Sequence, residues 1–240
     1  MACQFLTVIP LSVAGPVEEK DLAAAMAWFP LVGLLLGTVA AGVYVLTAYV
    51  SPTLLCSFVP LAFLVLVTGN MHGDAFMDAA DGLGSGRPPA LVLEIMKDSR
   101  AGAHGVMAGL LGFLAKLLLL FALPPAGRVT ALVLVPSLSR WVHVFAARTT
   151  PYLRSAGKGT FTRYAGNREL FLASATVAAA SLLLLGWRGL VPAAAALAVA
   201  HLGGLYVRRR LGGLTGDIYG ALGELAEMAG LAAMLLLVRF

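Results

Sequence analysis

The chain has 240 residues, 60% of them hydrophobic and only 12% charged, with a net charge of +5 and a mean hydropathy of +0.89. A soluble domain carries roughly 25% charged residues, so a water-soluble fold is excluded. The excess of Lys and Arg is spread over polar intervals, which points to membrane topology and phosphate contact and away from nucleic-acid binding. Several apolar runs approach or exceed the ~20 residues that a spanning helix needs. They are apolar throughout, without the alternation of a transmembrane barrel. Cys3 and Cys56 form no CxxC pair, so neither a thiolate metal site nor a disulfide framework is expected. No positive n-region precedes a cleavage site, and no removable signal peptide is expected. The prediction is an all-α fold: a polytopic membrane helix bundle of about seven transmembrane helices with a cytoplasm-facing polar site, one integral-membrane domain over residues 1–240.

In chain order, Gln4 to Pro10 is a short apolar start expected at the membrane interface, and Glu18 to Asp21 reads as a helix start. The first span runs from about Leu22 to Leu46. Its Gly33, Gly37 and Gly42 would let another helix approach closely. The second runs from Thr53 to Thr68 and leads into a polar stretch through which its helix is able to continue. The third, Ala103 to Leu123, carries Lys116. The fourth, Val129 to Ala147, carries Arg140 and His143, the latter read as a packed residue. A basic loop from Arg148 to Arg168 follows, then spans five (Leu170 to Leu185), six (Leu190 to Val207) and seven (Ile218 to Val238). The N-terminus and the loops after spans two, four and six share one side. They hold Lys20, Arg87, Lys97, Arg100, Arg148, Arg154, Lys158, Arg163, Arg168 and Arg208 to Arg210, against Arg128, Arg188 and Arg239 on the other side. The positive-inside rule therefore places the N-terminus and the polar loops in the cytoplasm.

The longest polar interval, Asn70 to Gly105, holds five of the twelve acidic residues and two of the four histidines. Asp74, Asp78 and Asp81 are spaced i, i+4, i+7, which puts three carboxylates on one helical face beside His72. Carboxylates that close repel unless a cation compensates, and Mg²⁺ accepts a few carboxylates plus substrate phosphate oxygens. Zinc is disfavoured, because His72 and His104 lack a His-x₃-His spacing. Glycines and Pro88-Pro89 then break the helix. Glu94 and Asp98 form a second carboxylate pair, candidates for metal ligand or general base. Lys97 and Arg100, interleaved with them, and Arg87 are candidate phosphate contacts. Farther on, Arg140, Glu224 and Glu227 lie inside apolar spans, where ionisable groups are costly and usually functional. They are read either as a polar cavity that orients a hydroxylated substrate or as a set of buried ion pairs that includes Lys116. Arg154, Lys158 and Asp217 complete the candidate substrate contacts.

These pieces resemble the cobalamin synthase family, adenosylcobinamide-GDP ribazoletransferases. The resemblance is carried by Gln4-Phe-Leu-Thr, Phe29-Pro-Leu-Val-Gly33, and His72 through Gly82. It continues through Leu93-Glu-Ile-Met-Lys-Asp-Ser-Arg100, Pro151-Tyr-Leu-Arg154 with Gly157-Lys-Gly159, and Gly212-Gly-Leu-Thr-Gly-Asp217 with Glu224 and Glu227. Asn70 replaces a glycine of the family pattern, and Val8 replaces an arginine. The resemblance implies transfer of the adenosylcobinamide phosphate group from its GDP-activated form to α-ribazole or α-ribazole 5′-phosphate. The ribazole 5′-hydroxyl would attack and GMP would leave. Mg²⁺ is the implied cofactor, and the implied setting is a bacterial inner membrane with a cytoplasmic active site. A homo-oligomer, or association with other cobalamin-assembly enzymes, is compatible with it. Asp74, Asp78, Asp81, Glu94 and Asp98 are the expected metal ligands, and Asp98, Glu94 and Asp81 the expected catalytic groups. Asp78-x-x-Asp81-Gly82 and Glu94-x-x-x-Asp98 also resemble the two halves of the CDP-alcohol phosphotransferase motif, with different spacing between them. The rival readings are an ion-coupled transporter with Glu224, Glu227, Lys116 and Arg140 as a relay, and a non-catalytic membrane partner. Gathering of the acids toward one side and the lack of a repeat weigh against transport.

Overall fold

The computed structural model describes residues 1–11, 15–157 and 159–239. Its helices are α1 (Ala2–Leu6), α2 (Glu19–Ala25), α3 (Phe29–Val50), α4 (Leu55–Val67), α5 (Met71–Gly84), α6 (Pro89–Ile95), α7 (Ala103–Ala122), α8 (Pro125–Thr149), α9 (Asn167–Leu185), α10 (Leu190–Leu211) and α11 (Gly216–Arg239). Five stretches are long and apolar enough to cross a membrane, or six if the bent pair α4–α5 counts as one. One of the five, Asn167–Leu211, contains both α9 and α10. The chain turns there at Gly186 (φ 58°), and a side chain at Gly189 would collide with the Ser181 backbone, so the two helices fold back on each other.

The bundle is built on α8 and α11. Helix α3 lies against α8 because Gly33 and Gly37 present bare backbone to the Pro136 and Leu132 carbonyls. Gly42 faces open space. Many large apolar side chains stay exposed, among them Leu46, Leu111, Leu118, Phe171 and Leu183. In water such a surface would be a liability, but against hydrocarbon it is the natural outer face of a spanning bundle. The N-terminal α1 packs on the bundle, while Val8 and Ile9 just after it stay exposed. Leu6 is fully buried and Phe5 stacks on Phe29, with ring centroids 5.6 Å apart.

The second span departs most from expectation. Helix α4 has 13 residues, about 20 Å at 1.5 Å per residue, which is short of the ~30 Å hydrocarbon core. It does not continue into the Asp-bearing turns. Gly69 (φ 61°) and Asn70 (φ 56°) adopt the left-handed conformation, and α5 leaves at 86° to α4. Two successive left-handed residues cannot extend a right-handed helix, so the break is local and sterically determined.

Candidate active site

The acidic helix, the basic loop and the start of α11 meet at one end of the bundle. Helix α5 carries Asp74 and Asp78 one turn apart. It crosses α11 at Ala75 and Gly220, where any side chain on residue 220 would run into Ala75. That close crossing brings Asp217, in the first turn of α11, beside the α5 carboxylates. Asp78 thus stands in the field of Asp74, Asp217 and Asp81, opposed by Arg154. The loop bearing Arg154 is tied to the GGLTGD turn by a short bridge: Leu153 N–H donates to the Leu214 carbonyl (2.9 Å) and Leu214 N–H to the Pro151 carbonyl (2.8 Å). Arg154 Nη2 then donates to Asp217 Oδ2 at 2.7 Å, and the Thr215 hydroxyl donates to the same oxygen at 3.3 Å. Thr215 also accepts the Ile218 N–H and so caps α11.

These elements enclose a cavity of about 290 Å³. Asp74, Arg154 and Asp217 are its charged residues. Its aromatic wall is Phe5, Phe29, Tyr152 and Tyr219, and His72 and His143 stack on one another with ring centroids 4.9 Å apart. His143 and the two tyrosines are additions to the expected set. His143 was read as a packed residue, and its place on the cavity wall follows only from how α8 faces α5. Tyr152 and Tyr219 were legible as neighbours of Arg154 and Asp217. Burial pushes the Tyr152 hydroxyl above its ordinary pKa.

Several expected site residues lie elsewhere. Asp81 is buried and committed: its Oδ1 accepts the Gly105 N–H (2.7 Å) and its Oδ2 the Gly102 N–H (2.8 Å). It supplies a cap that Gly102, at the N-terminus of α7, cannot provide for itself. In the EIMKDSR run, Val92 and Met96 turn inward and Met96 packs on Gly82. Glu94, Lys97 and Arg100 consequently point to solvent. Asp98 pairs with Arg100 at 2.7 Å in the loop before α7, and that guanidinium holds its carboxyl down at about 2. None of Glu94, Lys97, Asp98 and Arg100 lines the cavity. Arg87 is exposed, with its carbonyl accepting from Arg210 Nη2 at 2.6 Å. Lys158 lies outside the described residues. Among the described residues no three His, Cys, Asp or Glu side chains are arranged to hold one metal ion. The five expected ligands are therefore not gathered at one point.

Arg140, Glu224 and Glu227 form a separate, deeper cluster with Lys116. Lys116 Nζ reaches Glu224 Oε2 at 2.6 Å and Glu227 Oε2 at 3.0 Å, and Arg140 Nη1 reaches Glu227 Oε1 at 2.6 Å. These four surround a void of only about 20 Å³ that His72 also lines. They pair with one another, which is the ion-pair reading of this set, although Arg140 Nε has no partner among the described residues, and none of the four lines the larger cavity.

Comparison with known proteins places this geometry. The profile of the family described as CobS, cobalamin-5-phosphate synthase, matches residues 1–235. A protein of Desulforamulus reducens named adenosylcobinamide-GDP ribazoletransferase is 40% identical over 95% of this chain and 91% of its own length. Proteins of the same name from Ectopseudomonas mendocina (38% identical, 98% of this chain and 97% of its own) and Syntrophobacter fumaroxidans (37%, 97% and 95%) are similar end to end. No solved structure matches. With the family profile spanning every element that builds the cavity, the chain belongs to the cobalamin-5-phosphate synthase family.

Proposed function

We propose that this chain is an adenosylcobinamide-GDP ribazoletransferase, joining adenosylcobinamide-GDP to α-ribazole or its 5′-phosphate with release of GMP. The observation that carries the reading is the family match over nearly the whole chain. The cavity adds its chemistry: two carboxylates, Asp74 and Asp217, with Asp78 beside them, and one arginine converge where a phosphorylated substrate would enter. The acceptor also serves as its 5′-phosphate, whose 5′ oxygen is blocked. The attacking group is therefore a ring hydroxyl of the ribose and not the 5′-hydroxyl. Its oxygen forms a bond to the phosphorus attached to cobinamide, the bond from that phosphorus to the bridging oxygen of GDP breaks, and GMP departs.

Asp74, Asp78 and Asp217 supply the hard oxygen donors that Mg²⁺ prefers, and one or two of them with phosphate oxygens would suffice to hold it. When bound, the ion neutralises charge on the transferring phosphate. Arg154, already held by Asp217, is placed to pair with a phosphate oxygen. A loose phosphoryl-transfer transition state asks little of the nucleophile, so a carboxylate at the cavity mouth is enough to receive the hydroxyl proton. Asp81 acts as a positioning residue, fixing α7 against α5. Lys97 and Arg100, on the loop beside Met96 and Thr215, would meet the part of the substrate that stays outside.

The basic-residue asymmetry supports a bacterial inner-membrane location with the cavity toward the cytoplasm. In intact cells a cysteine at Ser155 should be shielded from an impermeant reagent and one at Trp187 should react. The reverse pattern would invert the orientation. The reaction is tested by GMP release from adenosylcobinamide-GDP with α-ribazole and Mg²⁺ in liposomes. No release from folded protein would remove this reading.

A further inference from the structure

The walls of the cavity repeat one motif three times. His72 stacks on His143 (4.9 Å, 16° between planes), Phe5 on Phe29 (5.6 Å, 12°), and Tyr152 on Tyr219 (6.2 Å, 10°). All six rings line the same space. The depth of the cavity is graded. Met26 and Phe29 are 1% and 2% exposed, whereas the Arg154 and Asp217 side chains are 21% and 18% exposed and Asp74 is open to solvent. The inner end is therefore aromatic and thioether with the two buried histidines beside it, and the outer end is charged.

We propose that this cavity is the acceptor subsite, enclosing the heteroaromatic base of α-ribazole while the corrinoid nucleotide stays at its mouth. The assignment rests on the reaction proposed above and goes beyond it. At about 290 Å³ the cavity sits at the small end of the roughly 300–1,000 Å³ range of ligand sites, far too small for a corrin macrocycle. Two flat bases compete for it, the dimethylbenzimidazole of α-ribazole and the guanine of the GDP moiety. Guanine presents a carbonyl, a ring N–H and an amino group on one edge. Against Met26, Met71, Phe5 and Phe29 those groups would lose water without gaining partners, and among the described residues the two buried ring nitrogens left free on that wall, His72 Nδ1 and His143 Nε2, are fewer than the three groups on guanine's edge. Dimethylbenzimidazole presents a methylated hydrocarbon edge, which suits that end, and stacking on aromatic faces requires only its π surface. With the base inside, its ribose falls at the outer end, where Asp74, Asp217 and Arg154 meet the hydroxyls and the incoming phosphorus.

The test uses the purified full-length protein in detergent, with separate titrations of the two substrates. Tyr152→Leu should raise KM for α-ribazole by about tenfold or more, as loss of a base-stacking ring does. KM for adenosylcobinamide-GDP should stay within about twofold, and Tyr152→Phe should behave as wild type. Phe29→Leu, at the inner wall, is the second probe should Tyr152→Leu fail to fold. Direct binding of α-ribazole, read from its benzimidazole fluorescence without corrinoid, should weaken in parallel and should resist competition by guanosine. Displacement by guanosine, or a rise in KM confined to the corrinoid substrate, would assign the cavity to guanine and overturn the proposal. Turnover by wild type with an unchanged α-ribazole KM in both variants would overturn the subsite and leave the reaction standing. Binding of α-ribazole without GMP release would do the opposite.

Discussion

Two four-residue charge clusters lie along α11, and they differ in balance. At the cavity, Asp74, Asp78 and Asp217 face a single guanidinium, Arg154, for a formal sum of −2. Deeper in the bundle, Glu224 and Glu227 face Lys116 and Arg140, for a formal sum of zero. In the inner cluster the carboxylates are taken up by cations at 2.6 to 3.0 Å, beside a void of about 20 Å³ and a cavity of about 200 Å³ that Lys116 and Glu224 also line. The outer one has spare acceptor oxygens and a cavity beside them. Charges buried in a spanning bundle must be paired to be tolerated. The balanced set is thus explained without a ligand, while the unbalanced set invites a cation and a phosphate.

The comparison breaks most sharply at the unbalanced cluster. Asp78→Asn and Asp217→Asn should each lower kcat by about 10²-fold or more while the protein remains folded in membranes, the scale set by removal of a catalytic acid–base or charge-stabilising group. Activity near wild type in both variants would take these acids out of the reaction. Omission of Mg²⁺ should have an effect at least as large, and loss of that requirement in the two variants would localise the ion.

The inner cluster should respond in stability first. Glu227→Gln leaves Arg140 and Lys116 short of a counter-charge in a dry interior, a change that costs about 3–5 kcal/mol. It should appear as a lowered unfolding temperature in detergent. Glu227→Leu combined with Arg140→Leu should be less damaging than Glu227→Gln alone. A Glu227→Gln protein of normal stability and little activity would instead move this glutamate into the active site. Gly220→Ala, which forces α5 and α11 apart beneath Asp217, should cost about 1–3 kcal/mol and lower activity together with stability.

The exposed pair should matter least. Asp98, held near 2 by Arg100, has a lowered pKa in the folded protein. The stability it contributes is present above the unfolded carboxyl pKa and is lost as pH falls through the folded value. It should add no inflection to stability or rate between about pH 5 and 9. Asp98→Asn should change kcat by less than about fivefold, consistent with a solvent-exposed ion pair. A larger loss would return Asp98 to the role of base suggested by its neighbours in the chain.

Much of the architecture was legible because lipid imposes a simple requirement: long apolar runs must be helices, and the few polar intervals must be loops or functional faces. The spacing of Asp74, Asp78 and Asp81 predicted one helical face, and α5 is that helix. The allocation of those acids was not legible. Asp81 differs from Asp78 by three residues, yet it faces the N-terminus of α7 and is used up by two amide hydrogens. The EIMKDSR run illustrates the same limit. Its charges look like an active site in the sequence, but Val92 and Met96 are the residues that anchor it, and anchoring them turns the charges outward.

Composition and periodicity alone thus determined a polytopic helix bundle, since burial of apolar surface and backbone hydrogen bonding in lipid leave few alternatives. Only the tertiary structure decided which charges pair and which remain available. Pairing depends on helix-to-helix distance and rotation, set here by bare backbone at Gly33, Gly37 and Gly220 and by the left-handed break at Gly69 and Asn70. Those contacts join residues far apart in the chain, Lys116 with Glu224, Arg154 with Asp217 and His72 with His143, and local spacing carries no information about them.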